Sequence, residues 1–145
     1  MSALTVLYLT LSFPFTFILH DAEEVAVQPR WMLNHRKSLI ERFPKMTKMV
    51  DHLSCLTTKA FAIAATEELT VLLVATAYAL AGGAYSMQIW SALFMAFSIH
   101  LLLHVCQAIV VRGYVPGLVS TILLLPYTFI AMQSIPNLMS GTELV

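Results

Sequence analysis

The run from Ala60 to Ala81, AFAIAATEELTVLLVATAYALA, sits between Lys59 and the pair Gly82-Gly83. It contains no proline or glycine, and its only charged side chains are the adjacent Glu67 and Glu68. As a helix it would be about 33 Å long, enough to cross the roughly 30 Å hydrocarbon layer of a bilayer. Lipid offers no hydrogen-bond partner to the backbone, so a crossing segment must satisfy its own peptide groups as a helix. This stretch therefore sets the fold class.

Working outward, three more apolar runs have the required length: residues 3–27 with Pro29 as a stop, 87–111, and 114–135. The connections at 82–86 and at Arg112-Gly113 are short, which predicts antiparallel hairpins. The expected architecture is all-α, a four-transmembrane-helix bundle forming a single integral membrane domain over residues 1–145. Composition agrees. Apolar residues make up 59% of the chain and charged residues 11%, less than half the roughly 25% usual in soluble domains. Mean hydropathy is +0.79. A soluble chain of this size could not bury so much apolar surface. Disorder is excluded, and so is nucleic acid as a partner, because net charge is zero.

The charges are unevenly placed. Seven of the eight Lys/Arg residues, Arg30, Arg36, Lys37, Arg42, Lys45, Lys48 and Lys59, fall within 28–59, and the eighth is Arg112. Both regions lie on one side of the predicted bundle, which the positive-inside rule makes cytoplasmic, with both termini outward. The segment WMLNHRKSLIERF (31–43) reads as a basic helix lying on anionic lipid. The N-terminus lacks the basic start of a signal peptide, so the first span is expected to be retained. Cys55 and Cys106 form no CxxC pair, and no disulfide or thiolate metal site is expected.

Several ionisable residues interrupt the apolar runs. A carboxylate at the centre of a span costs about 2.5–3.5 kcal/mol on insertion scales, so such residues are functional candidates. Glu67 and Glu68 lie eight and nine residues after Lys59, and His104 lies eight before Arg112. Both positions are about 12 Å inside the cytoplasmic end of their helices. His20, Glu23 and Glu24 lie ten, seven and six residues before Arg30. Three segments thus place His and Glu in one layer. His20 shares a helix face with Glu23 and Glu24, and His100 shares one with His104 and Gln107.

Four glutamates and three histidines at one depth point to metal. Left uncompensated, the carboxylates alone would cost about 10 kcal/mol, and Arg112 cannot neutralise all four. Imidazole and carboxylate together suit Fe, Mn and Zn. The predicted ligands are His20, Glu23, Glu24, Glu67, Glu68, His100 and His104, an inventory of the size used for two divalent ions in helical bundles. Gln107 is expected to support a ligand. Whichever of Glu23 and Glu24 does not ligate is a candidate base, and Glu24 is a candidate for both roles. Asp21 points off the His20 stripe. His35 and His52 belong to the basic segment, where His35 could fold back as a lid.

His20-Asp21-Ala22-Glu23-Glu24 reads HxxEE, and residues 107–117, QAIVVRGYVPG, read QAxxxxxYxPG. Together on a small multi-span chain these resemble the HXXEE-domain family of bacterial membrane proteins, over most of the length. The resemblance implies importance for His20, Glu23, Glu24, Gln107, Tyr114, Pro116 and Gly117, and a bacterial inner-membrane location, but it supplies no reaction. Tyr114 is an interface anchor by position, and its hydroxyl is a candidate proton donor at the mouth of the site. Pro116 and Gly117 suit the first turn of a span and a close backbone approach.

The expected function is an intramembrane metal-dependent enzyme acting on a lipid-soluble small molecule, by oxidation, hydroxylation or hydrolysis. The alternative is a metal-ion or proton transporter using the same Glu/His layer. A non-catalytic subunit that pairs its carboxylates with a membrane partner is a third class, and a homo-oligomer stays open.

Overall fold

The computed structural model describes residues 3–136. Five α-helices follow one another: α1 Ala3–Arg42, α2 Thr47–Ser54, α3 Thr58–Leu80, α4 Ser86–Val111 and α5 Leu118–Met132, with a 3₁₀ turn at Pro44–Met46 between α1 and α2. Three of them, α1, α3 and α4, are long and apolar enough to cross a membrane. The fourth predicted span, 114–135, is instead the helix Leu118–Met132, about 22 Å long and shorter than a full crossing. Its start is set by Gly117, whose φ of 82° ends the preceding loop. Large apolar side chains such as Leu4, Phe15, Val74, Ile109 and Phe129 are exposed, an outward surface suited to lipid.

A buried seam runs between α1 and α4. On α1 the buried positions include Leu9, Phe13, Phe17, His20 and Glu24, and on α4 they include Trp90, Phe94, Phe97, Leu101 and His104. Spacings of three and four keep each set on one helix face. Phe13 lies at the centre, edge-on to Trp90 at 5.5 Å and to Phe94 at 5.0 Å between ring centroids. Leu72 of α3 and Leu124 of α5 complete this core. The stripe is aromatic and aliphatic over most of its length, then turns to His and Glu on both helices. The polar cluster is therefore an extension of the core rather than a surface feature.

Pro29 does not stop the first helix, contrary to the sequence expectation. The helix runs through it to Arg42. An interior proline removes one hydrogen bond and kinks a helix rather than necessarily ending it. A bend is required by the contacts. Arg42 would lie about 27 Å beyond Glu24 on a straight helix, whereas Val111 lies only about 10 Å beyond His104. Yet Arg42 Nη1 donates to the Val111 carbonyl at 2.6 Å. Pro29 is the only proline between Glu24 and Arg42. The segment after it leans under the bundle toward the end of α4. There α2 packs against it, through the buried Met32 and Val50 and an Arg36–Asp51 ion pair of 2.6 Å.

Candidate metal centre

Two helices supply the cluster. The α1 face brings His20 and Glu24, one turn apart, against His100 and His104 of α4, also one turn apart. Each of the four offers one ligand atom, and these atoms all lie within 4.8 Å of one another. His100 Nε2 is 3.1 Å from His20 Nε2 and 3.0 Å from His104 Nε2. Glu24 Oε2 is 3.4 Å from His100 Nε2 and 3.7 Å from His20 Nε2, while its Oε1 is 3.4 Å from His104 Nε2. Four ligands held at about 2.0–2.1 Å around one ion are spaced by about 3.3 Å in a tetrahedron and by about 2.9 Å along an octahedral edge. The five separations above, 3.0–3.7 Å, lie near these edges, and the set as a whole fits within 4.8 Å. His20, Glu24 and His104 are buried, with His100 partly open.

The surroundings fix which nitrogen faces inward. Ser120 Oγ directs its proton to Glu23 Oε2 at 2.7 Å or to the Gly117 carbonyl at 3.2 Å. It therefore accepts from His20 Nδ1–H, at 3.0 Å. That assignment, made from the network, leaves the His20 Nε2 lone pair aimed at the cluster. His100 Nε2 carries at most one proton and can serve only one of its two imidazole neighbours. Glu24 can accept an imidazole N–H at 3.4 Å, but the three Nε2 atoms, 3.0–3.1 Å apart along the chain His20–His100–His104, cannot all be paired with one another by protons of neutral rings. A metal ion removes that conflict, and three imidazoles with one carboxylate form a donor set that suits a first-row divalent ion.

Gly117 makes room for His104. A Cβ there would lie 2.8 Å from His104 Cε1 and 3.0 Å from both ring nitrogens, and its φ of 82° already favours glycine. The Tyr-x-Pro-Gly stretch thus cradles a ligand ring as well as starting α5.

The two adjacent glutamates of the motif separate. Glu24 faces the cluster. Glu23 turns to α5, where its carboxylate accepts from Tyr114 Oη–H at 2.7 Å, Val119 N–H at 3.3 Å, and both Ser120 N–H and Oγ–H at 2.7 Å. Val119 and Ser120 carry free N–H groups of the first turn, and Gly117 has no side chain to cap them. Glu23 is thus an N-cap supplied from another helix, and its charge complements the helix dipole. Tyr114, in the loop before α5, has its phenol pushed up to about 12 by burial and by the Glu23 carboxylate, which keeps it a proton donor in that bond.

The other predicted residues lie outside the cluster. Glu67 and Glu68 are both exposed, and the 100° step between neighbours on a helix points them in different directions. Glu68 lines a cavity beside the cluster without joining it. Gln107 is exposed, nearly a full turn past His104. His52 is exposed, and His35 stacks on Trp31 at 4.4 Å instead of folding under the bundle. Among the described residues, the grouped ligands suit one ion rather than two.

The cavity, about 730 Å³, lies between α1, α2, α3 and α4. Ala60, Ala64 and Ala65 of α3 and Ala96 of α4 create the space by their small size. Glu24 and His100 form the wall it shares with the cluster. Sequence reading missed it, although Ala60 and Ala64 lie on the helix face of Glu68, which is a legible signal. Ser120 was also missed, and nothing in its local sequence singles it out.

The fold and site together define an all-α protein with spans suited to a membrane and a His/Glu cluster able to hold a metal ion. The chain belongs to the family described as protein of unknown function with HXXEE motif, whose profile matches residues 11–131. No curated protein and no solved structure matches it.

Proposed function

We propose that this chain is an integral membrane metalloenzyme of the bacterial inner membrane, acting on a lipid-soluble substrate. One divalent ion would be held by His20, Glu24, His100 and His104 near the cytoplasmic side. The observation that carries this reading is the shared wall: Glu24 and His100 belong both to the cluster and to the largely apolar cavity. A ligand in that cavity would lie directly against the ion.

The ion would supply a Lewis acid, or a redox centre if it is iron or manganese. The chain's own residues do the rest. The three imidazoles fix its position, Ser120 holds the His20 ring, and the apolar walls suit a lipid-soluble ligand. Glu24 balances part of the charge. Four protein ligands would close a tetrahedral zinc site, whereas iron or manganese accepts five or six and keeps positions open. The cavity on one side of the cluster therefore favours iron or manganese, and oxidation over hydrolysis. Transport is less well supported, since Phe13, Trp90 and Phe94, each 0–1% exposed, fill the seam beyond the cluster.

Cobalt-substituted protein tests this. The weak visible bands of a five- or six-coordinate ion are expected, changing when His100 is replaced. Strong tetrahedral bands would indicate a closed structural site and contradict an enzyme.

A further inference from the structure

The cavity has a polarity of one sign. Its walls are mostly apolar, yet three carboxylates, Asp21, Glu24 and Glu68, line it and no lysine or arginine does. Glu24 is engaged by the imidazoles. Asp21 of α1 and Glu68 of α3 have no hydrogen bond or ion pair with another described residue. Asp21 lies nine residues before Arg30 and Glu68 nine after Lys59, so each lies about 13 Å along its helix from the basic residue that marks the same side of the bundle. Asp21 is partly buried and Glu68 exposed, and neither ligates the ion or faces a lysine or arginine in the cavity, so a cationic ligand would offset the cost of holding two carboxylates against a largely apolar, lipid-facing space. An anionic headgroup would be repelled by Asp21 and Glu68, whereas the ion proposed at the cluster lies behind Glu24 and His100.

The apolar part of the cavity sets the rest of the ligand. Phe13 and Phe17 of α1, Leu72 of α3, and Leu93 and Phe97 of α4 line its far end. Phe13 is eight residues beyond Asp21, about 12 Å along the helix, which matches an extended chain of about ten methylenes. The volume of about 730 Å³ is ample for it and lies within the usual range for small-molecule pockets.

We propose that the cavity binds a single-chain amphiphile with a protonated amine headgroup, the ammonium held by Asp21 and Glu68 and the chain running toward Phe13. This names the substrate class of the site described above and rests on that reading. It places the carbons next to the amine closest to His100 and Glu24.

The test uses the full-length, metal-loaded protein in phosphatidylcholine nanodiscs at neutral pH, titrated calorimetrically with decylamine, decan-1-ol and decanoate. Empty nanodiscs supply the correction for partition. Decylamine is expected to bind at least about tenfold more tightly than decan-1-ol, with decanoate weakest. In Asp21→Asn/Glu68→Gln protein, the amine preference should fall to the level of the alcohol while decan-1-ol binding persists, which also shows that the cavity is intact. Each single variant should lose part of the preference. Equal binding of amine and alcohol by the unaltered protein, preference for decanoate, or an amine preference unchanged in the double variant would overturn the proposal. Metal content measured on the same samples separates the two readings. Amine selectivity without metal would remove the metalloenzyme alone, and metal without selectivity would remove the amine alone.

Discussion

Glu23 and Glu24 show how one helical step divides two tasks. Glu24 lies on the buried stripe with His20 and meets three imidazoles. Glu23 is rotated by about 100° and caps α5. Glu24→Ala should therefore lose bound metal. Glu23→Gln should keep wild-type metal stoichiometry while losing about 1–2 kcal/mol of stability, read as a lower melting temperature in detergent. Equal loss of metal in both variants would contradict the division. Ser120→Ala removes the acceptor for His20 Nδ1–H and should weaken metal affinity about 10–100-fold, measured by competition with a chelating dye. An unchanged affinity would mean that Ser120 does not orient the ring. The motif made His20 and both glutamates legible, but not their directions. Those depend on Ser120 and Gly117, which approach from a helix about a hundred residues away in sequence.

At the scale of elements, hydropathy located α3 and α4 to within two residues, because both are bounded by abrupt changes in composition. It failed at α1 and α5, where the boundary depends on tertiary contacts. The helix survives Pro29 because α2 and the end of α4 hold the segment beyond it. α5 begins at Gly117 rather than Tyr114 because the chain needs a positive φ there and room for His104. If Pro29 sets the bend, Pro29→Ala should straighten α1 and lengthen the distance between spin labels at Lys37 and Val110, with Cys55 and Cys106 replaced by serine. An unchanged distance would place the bend elsewhere. Gly117→Ala should lower both the melting temperature and metal affinity, since its Cβ would displace a ligand ring from a backbone already at positive φ.

Across the whole molecule, the polar layer legible in the sequence is resolved by helix phase into three groups. His20, Glu24, His100 and His104 form the cluster. Asp21 and Glu68 face the neighbouring cavity, and Glu67 and Gln107 face outward. Counting residues by depth could not separate these groups, which is why the sequence suggested two ions and the assembled ligands suit one. The cluster joins α1 to α4, so an ion there should stabilise the bundle. At a free concentration of 100 times its dissociation constant it would add about 2.7 kcal/mol, and a chelator should lower the melting temperature accordingly.

The most direct test is elemental analysis of detergent-purified protein beside His104→Ala, Glu68→Gln and His52→Ala. A single metal centre predicts about one equivalent of iron, manganese or zinc in the unaltered protein. The ion should be lost from His104→Ala and retained in Glu68→Gln and His52→Ala. No bound metal after reconstitution, or equal content in all four proteins, would contradict it.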